Sequence, residues 1–288
     1  MRKLFSFLFL LGSVSSIAQH KVLAKNEQSL LWKITGKGLS KPSYLFGTIH
    51  MICSGDYIWT DKMAQCLEKS ESVCLEMNIK DPAVMMQVAT GMMNLGGKPL
   101  KDYFSNEQYA LIKAYVHDSL HFDISIAEQM KPVFLLTLLM QKGAGCETPV
   151  MYEEKIAEKA ISEHKQMDGL EEVSEQLAVL NEIPADTITH QIVAAMKGQS
   201  DDDHMYEKMV AAYKAQDLAR LYDMIKSSKD ITDMGPFLTD RNRKWISRME
   251  GRMMQHSVFF AVGAGHLPGN DGVITLLRKK GYTVEALK

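Results

Sequence analysis

Two histidines in this chain occupy the same kind of position, although they lie near opposite ends of the sequence. Residues 44–50 read Tyr-Leu-Phe-Gly-Thr-Ile-His and residues 259–266 read Phe-Phe-Ala-Val-Gly-Ala-Gly-His, so a Gly-x-x-His motif follows each apolar segment. Imidazole is the commonest metal ligand in proteins, and glycine lets the backbone approach an ion or substrate closely. His50 and His266 could therefore form half of a shared metal site. Alternatively, they are unrelated side chains that hydrogen-bond to backbone groups.

Three further residues could complete such a site. Glu76 lies in the segment Cys-Leu-Glu-Met-Asn at the end of a predicted strand. A carboxylate there could be a third ligand or the base that activates water, and the alternative is an exposed glutamate. Arg241 and Asn242 stand at the head of a predicted helix. They could polarise a carbonyl or stabilise an oxyanion, or they could belong to a solvated basic face.

Several other chemistries lack their signatures. The sequence has no GxSxG, HExxH or GxxxxGK[ST] segment, which argues against an α/β-hydrolase, a zincin or a P-loop protein. Residues 263–269 are similar to a dinucleotide fingerprint, but the last spacing is one residue too long and Pro268 stands where a helix should begin. With 33 Lys and Arg against 35 Asp and Glu, no basic excess favours binding to a nucleic-acid backbone.

The first residues have the pattern of a secretory signal peptide. Arg2 and Lys3 precede a largely apolar run from Leu4 to Val14, and a small-x-small cleavage site ends at Ala18. We predict a signal peptide over residues 1–18 and a single mature domain over residues 19–288, exported to the periplasm or the extracellular space. A buried N-terminal helix is the alternative. No stretch reaches the roughly 18 apolar residues of a membrane span, so no transmembrane anchor is expected.

An oxidising compartment would allow the four cysteines of the chain to pair. Their spacing is not that of a CxxC zinc site, and no pair forms a thioredoxin-like motif. Because Cys53, Cys66 and Cys74 cluster near the first histidine motif, we expect at least one pair among them to be bonded. Free buried thiols are the alternative.

Hydrophobic periodicity predicts strands and helices that alternate along the chain, as in an α/β protein. The predicted strands cover residues 30–35, 43–48, 72–77, 166–170, 257–262 and 283–287. Helices are expected over 61–69, 82–93, 105–119, 124–141, 148–164 and 271–280, and in a broken pattern from 172 to 252. Ligands in open α/β sheets bind beyond the carboxyl ends of strands. The two similar strand-to-GxxH junctions therefore suggest two degenerate halves that meet around one sheet.

Several segments resemble the hallmarks of the TraB/GumN family, which belongs with the TraB, PrgY and Tiki proteins. Glu76 stands where that family has a strand-end glutamate, and Arg241-Asn242 looks like its Arg-Asn pair. The resemblance covers about Leu30 to Leu287 and is weakest between residues 81 and 228. The other similar segments are Leu31–Ile34, Tyr44–His50, Val262–Leu267, and Gly169–Glu171 with Glu175–Gln176.

The resemblance implies an α/β fold with a central mixed sheet flanked by helices, built from two related halves. It also implies that both GxxH histidines and the glutamate line one cleft. Tiki members are membrane-associated metalloproteases that depend on manganese or cobalt, and TraB and PrgY members inhibit peptide pheromones. Because no transmembrane anchor like that of Tiki is expected here, Tiki's substrate and its membrane proximity do not carry over.

These observations together predict a secreted, metal-dependent peptidase that acts on a peptide or protein substrate. His50, His266 and Glu76 would bind a divalent metal ion. Their nitrogen and oxygen ligands are compatible with Mn, Co, Fe or Zn and do not select one of them. Glu76 or Glu171 would transfer the proton, and Arg241 or Asn242 would stabilise the oxyanion. The alternative is a non-catalytic peptide- or haem-binding protein, because the related ChaN fold is associated with haem.

Overall fold

The structure, a computed structural model, describes residues 27–121, 123–143, 146, 148–197, 205–227 and 235–288. The predicted signal peptide lies outside this part of the chain, as do residues 198–204 of the broken helical pattern predicted from 172 to 252. None of the described helices is both long enough and apolar enough to cross a membrane.

Six strands form one mixed sheet, in the order β6-β4-β7-β2-β1-β8. Strands β6, β4, β7 and β2 run parallel to one another, and β1 runs antiparallel to both β2 and β8. The predicted central mixed sheet is thereby confirmed, and an internal duplication remains a prediction. The strands of this sheet are β1 (Leu31–Thr35), β2 (Ser43–Thr48), β4 (Ser72–Leu75), β6 (Gln166–Gly169), β7 (Val258–Gly263) and β8 (Thr283–Leu287).

The strands that carry the two histidine motifs lie side by side at the centre of the sheet. All six residues of β2 are buried, and only Gly263 among the residues of β7 is partly exposed. Such continuously apolar strands are typical of parallel sheets covered on both faces. Gly47 pairs with Val262 and Thr48 pairs with Gly263, so both strands end at the same edge.

Twelve α-helices surround this sheet in the described part of the chain, and they pack into two hydrophobic cores. The larger core contains the sheet and the helices that cover it, whereas the smaller core joins α3, α4, α5 and α8. The helices are α1 (Asp61–Lys69), α2 (Pro82–Met92), α3 (Asn106–Asp118), α4 (Ile124–Glu128), α5 (Pro132–Gly143), α6 (Tyr152–Ser162), α7 (Val173–Asn181), α8 (Ala185–Met196), α9 (Met205–Lys214), α10 (Leu218–Lys226), α11 (Asp240–Met253) and α12 (Val273–Lys279).

Two helix predictions were wrong in detail. The single helix expected over residues 124–141 is split into α4 and α5, because the residue before Pro132 is disfavoured in helical conformation. Thr148 and Pro149 do not start a helix either. Pro149 and Val150 form strand β5 (Pro149–Val150), which pairs with β3 (Ile52–Cys53) in a second, two-stranded sheet, and α6 begins only at Tyr152.

One disulfide joins Cys53 to Cys146, across 93 positions of sequence. The expectation of a bonded pair among Cys53, Cys66 and Cys74 was therefore wrong, since Cys53 bonds to the fourth cysteine and the other two are free and buried. Cys66 lies on the buried face of α1 and Cys74 lies in the central strand β4. Their side chains fill the core, where they have no path to a sulfur partner.

These positions predict the outcome of thiol labelling. Burial raises the pKa of Cys74 to about 12 and also raises that of Cys66, so neither thiol should react with a maleimide in the folded protein. Unfolding without a reductant should expose two reactive thiols, and reduction should expose all four. Mass spectrometry of the labelled chain counts them. Four labels in the unfolded, unreduced protein would show that the disulfide is absent.

Candidate active site

Three predicted site residues meet at the carboxyl edge of the main sheet, and each follows a different strand. Glu76 directly follows β4, and its Oε1 accepts a hydrogen bond of 2.8 Å from the N–H of Gly263 at the end of β7. Glu171 follows β6, and its own N–H donates to the carbonyl oxygen of Glu76 at 2.9 Å. The last of these side chains, His266, lies in the short turn after β7. Parallel strands thus bring remote parts of the sequence together at their ends.

Arg241, the second residue of α11, binds both carboxylates. Its Nη2 donates to Glu76 Oε2 at 2.6 Å and also to Glu171 Oε1, and its Nε donates to Glu171 Oε2 at 3.0 Å. The exposed fractions of the three side chains are only 14 % for Arg241, 9 % for Glu76 and 2 % for Glu171. The guanidinium also lies 5.0 Å from the ring centre of Trp245. One buried cation therefore bridges two buried carboxyl groups.

The two carboxyl groups differ in acidity. Burial by itself would raise the pKa of Glu76, but the nearby cations of Arg241 and His50 and the N–H of Gly263 hold it below its usual value. For Glu171 burial outweighs the guanidinium, and the pKa is raised above its usual value. Glu76 is thus anionic at neutral pH, and Glu171 is the group closer to exchanging a proton.

Asn242 holds His266 in one orientation. Its Nδ2 donates to the carbonyl oxygens of His266 and Asp271 at 3.3 and 2.8 Å, which leaves Oδ1 to face His266 Nδ1 at 2.6 Å. Nδ1 of His266 is therefore the protonated nitrogen, and Nε2 carries the lone pair. Burial lowers the pKa of His266 to about 3, so the ring is neutral at neutral pH. A neutral imidazole with a fixed tautomer has the form that a metal ligand requires.

His50 reaches the same place from an exposed loop. Its side chain is 69 % exposed, and its Nδ1 lies 3.0 Å from Oε1 of Glu153. The hydrogen bond to Glu153 is the main cause that raises the pKa of His50, to about 9. Nε2 points towards the cleft, since a Cβ at position 263 would lie 3.9 Å from it and 3.3 Å from Glu76 Oε1.

The glycines of the two motifs make this convergence possible. A Cβ on Gly47 would lie 3.1 Å from Cα of Ala264, which is tighter than ordinary packing. A Cβ on Gly263 would occupy the space that His50, Glu76 and the ring of His266 face. Both glycines therefore serve close approach, as the sequence predicted.

Glu153 is a site residue that the sequence did not reveal. It accepts hydrogen bonds from His50 and from the Thr48 hydroxyl, at 2.8 Å for the latter. Residues 148–164 were predicted as helix, but Glu153 is one of two adjacent glutamates and no motif marks it. One signal was available, because Glu153 shares a helix face with the buried Ala157 and Ala160. A carboxylate on an apolar face needs a partner.

The donor groups suit a divalent metal, although they do not form a ready-made cluster. Among the residues that the structure describes, no three His, Cys, Asp or Glu side chains form a group that could hold a metal ion. Arg241 already contacts two of these donor groups, since its Nη1 lies 3.2 Å from Nε2 of His266 while its Nη2 binds Glu76. Even so, both histidines direct Nε2 inward and have Nδ1 held by an acceptor, the usual arrangement of metal-binding histidines.

A cavity of about 340 Å³ adjoins the site between α7 and α11. Glu171, Arg241 and Trp245 form its end nearest the histidines, and Glu175 and Arg248 lie further along its wall. A molecule bound in this cavity would therefore contact Glu171 and Arg241 directly.

Comparison with known proteins finds one family model and several relatives. The TraB/PrgY/gumN family model matches residues 30–286. Similar proteins include Metalloprotease TIKI2 of Danio rerio, 25 % identical over 92 % of this chain and 62 % of the relative, and Metalloprotease TIKI1 of Danio rerio, 23 % identical over 89 % and 63 %. A Metalloprotease TIKI homolog of Nematostella vectensis is 21 % identical over 92 % of this chain and 68 % of its own length. The chain thus spans under two thirds of the two Danio rerio relatives. No solved structure matches.

Loss of the Arg241 guanidinium should destabilise the fold. Arg241→Ala leaves Glu76 and Glu171 buried without their partner, and breaking such a buried pair costs about 3–5 kcal/mol. The matched control is Arg243→Ala on the same helix, whose side chain is 59 % exposed and pairs with Asp271. That change should cost less than about 1 kcal/mol. Urea unfolding at pH 7 compares the two variants, and equal costs would contradict the buried role of Arg241.

The wall of the cavity gives a pH-dependent prediction. The hydrogen bond from Arg248 is the main cause that lowers the pKa of Glu175 from 4.5 to about 2. A carboxyl group with a lowered pKa stabilises the fold above its unfolded pKa and loses that effect as the pH falls through the folded value. Glu175→Gln should therefore cost about 1–2 kcal/mol at pH 7, allowing for its partial exposure, and progressively less below about pH 4.5. Urea unfolding of both proteins between pH 7 and pH 3 measures the difference. A constant difference would contradict the assignment.

Proposed function

The chain belongs to the TraB/PrgY/gumN family, and from that premise we propose that it is an exported, metal-dependent peptidase. The observation that carries the proposal is that His50 Nε2, Glu76 Oε1 and the ring of His266 all face the space at Gly263. The relatives named metalloproteases support a divalent metal ion and a peptide or protein substrate.

His50, His266 and Glu76 would hold the metal ion, and their N/O donor set suits Mn, Co, Fe or Zn. A divalent cation there would polarise the scissile carbonyl and make water a stronger nucleophile at neutral pH. Glu76 and His266 already have the protonation states that binding requires, anionic and neutral. His50, with its pKa near 9, must give up a proton when it binds.

Glu171 is the proposed proton-transfer group. Its pKa is raised whereas that of Glu76 is lowered, and paired carboxyl groups with separated pKa values are typical of acid–base sites. Arg241 stands between them and would donate to the substrate carbonyl oxygen as its negative charge grows. Asn242 is engaged with His266 and Asp271, so it is assigned to holding the imidazole rather than the oxyanion.

The proposed export is supported by the sequence pattern of residues 1–18 and by the disulfide between Cys53 and Cys146. A disulfide such as Cys53–Cys146 persists in the periplasm or outside the cell and is rare in the cytosol. The proposed location is therefore extracytoplasmic, after cleavage behind Ala18.

The test combines metal stoichiometry with cleavage of a peptide library. His50→Ala, His266→Ala and Glu76→Gln should each weaken metal binding by more than the roughly 100-fold that loss of an outer partner costs, and should abolish hydrolysis. Glu171→Gln should retain the metal and lose turnover, because it removes only the proton-transfer group. Elemental analysis and cleavage rates on the same samples measure both properties.

The control is His117→Ala on α3, whose side chain is 83 % exposed and pairs with its neighbour Asp118. It should change neither metal content nor rate, and circular dichroism should show that every variant remains folded. Full metal binding and activity in both His50→Ala and His266→Ala would overturn the proposal. A Soret band in the purified protein would instead support the haem-binding alternative.

A further inference from the structure

The loop that carries His50 is fastened along its length to the segment that carries Glu153. Ile52 pairs with Val150 in the two-stranded sheet, and the disulfide joins Cys53 to Cys146. Next to them, the N–H of Ser54 donates to the carbonyl oxygen of Thr148 at 3.0 Å, and their hydroxyl groups lie 2.6 Å apart. We name residues 48–54 together with 146 and 148–153 the latch.

Glu153 is the part of the latch that touches the site. Its Oε1 accepts from the Thr48 hydroxyl at 2.8 Å and contacts His50 Nδ1 at 3.0 Å. Its Oε2 is buried and has no hydrogen-bond partner among the residues that the structure describes. The first turn of α6 and Thr48 therefore fix this carboxylate, and the carboxylate in turn fixes an imidazole that is otherwise 69 % exposed.

The noncovalent part of the latch is small. Strands β3 and β5 contain two residues each, and a two-stranded pairing of that length is marginal in water. The disulfide closes a loop of 93 positions that contains α1 to α5 and strand β4. It adds a covalent link between two segments whose other contacts are the β3–β5 pairing, nearby hydrogen bonds and the packing of Ile52 and Tyr152 in the main core. A constraint across so long a loop removes much of the freedom that the open chain would have.

We propose that Glu153 is a positioning residue for His50, and that the Cys53–Cys146 disulfide keeps it in place. A dithiol would reduce this bond by two electrons and two protons, giving two cysteine thiols and a cyclic disulfide of the reductant. Both cysteines are half-buried, so a small reductant reaches them. Reduction then loosens the latch and lowers the affinity of the site for metal while the main core stays folded. The metal-affinity part rests on the proposed function.

The first experiment tests Glu153 with its neighbour as control. Glu153→Ala removes the acceptor of His50, and Glu153→Gln keeps an acceptor oxygen. Glu154→Gln removes the same charge from the same helical turn, where Glu154 pairs with Lys80 at 2.8 Å and not with His50. The readouts are the Nδ1–H proton resonance of His50, assigned with His50→Ala, and Zn²⁺ affinity by calorimetry.

The resonance should be visible in the wild type, Glu153→Gln and Glu154→Gln, and lost in Glu153→Ala. Zn²⁺ should bind about 10–100-fold more weakly to Glu153→Ala and nearly as in the wild type to Glu154→Gln. A purely structural Glu153 would lower thermal stability and leave the resonance of the folded protein unchanged. That result would overturn the assignment.

The second experiment tests the disulfide. Wild-type protein is reduced, the reductant is removed under anaerobic conditions, and the sample is compared with the oxidised form and with the double variant Cys53→Ser/Cys146→Ser. The reduced wild type and the double variant should both lose the His50 resonance and bind Zn²⁺ more weakly, and the double variant should not respond to reductant. Because Cys66 and Cys74 are free thiols, no other disulfide interferes.

The outcomes separate the two proposals. If no form binds Zn²⁺ and the resonance still disappears with the carboxylate and with the disulfide, the proposed metal site fails and the latch stands. If the wild type binds Zn²⁺, and reduction changes neither the affinity nor the resonance, the latch is overturned and the metal site stands. Near-ultraviolet circular dichroism confirms that the samples being compared remain folded.

Discussion

The buried guanidinium of Arg241 is the interaction on which the site depends. Glu76 and Glu171 follow adjacent parallel strands, so the sheet forces two carboxylates into one almost dry space. Two carboxylates this close repel each other strongly when water is excluded, and a cation between them offsets that repulsion. Arg241 binds both and stacks on Trp245 of its own helix, which orients the first turns of α11 against the strand ends. That orientation brings the next residue, Asn242, to His266.

Two features produce the site: the parallel strands that end at one edge of the sheet, and the charges that surround the two glutamates there. Parallel strands place the residues after their carboxyl ends at a common edge, which explains how segments from both ends of the sequence meet. The electrostatics then separates their roles. Glu76 also accepts from a backbone N–H and has its pKa lowered, whereas burial outweighs the side-chain hydrogen bonds to Glu171 and raises its pKa. Two glutamates with the same chemistry acquire different protonation behaviour from their surroundings.

The sequence predicted the parts of this arrangement that strand ends control. His50, Glu76 and His266 could be anticipated, because an apolar strand followed by a glycine or a polar residue marks a site edge. Arg241 and Asn242 were candidates, but their division into carboxylate partner and histidine partner depends on how α11 packs. Strand β5, the partner of Cys53 and the role of Glu153 could not be read from the sequence. Each depends on contact between segments about 90 or more positions apart, which local propensity does not encode.

The two histidines are held in place by different contacts: His266 by the packed core, and His50 by a hydrogen bond to Glu153 near the surface. His266 is 5 % exposed, packs against Trp245 with ring centres 4.4 Å apart, and receives its orientation from the core. His50 lies outside the core, so its ordering must come from contacts built for that purpose. A ligand side chain that becomes ordered only when the ion binds loses conformational entropy, and this loss lowers the affinity for the ion. A side chain that is already ordered has no such loss. The carboxylate of Glu153, the short β3–β5 pairing and the disulfide all act on this exposed half, where such ordering contributes most.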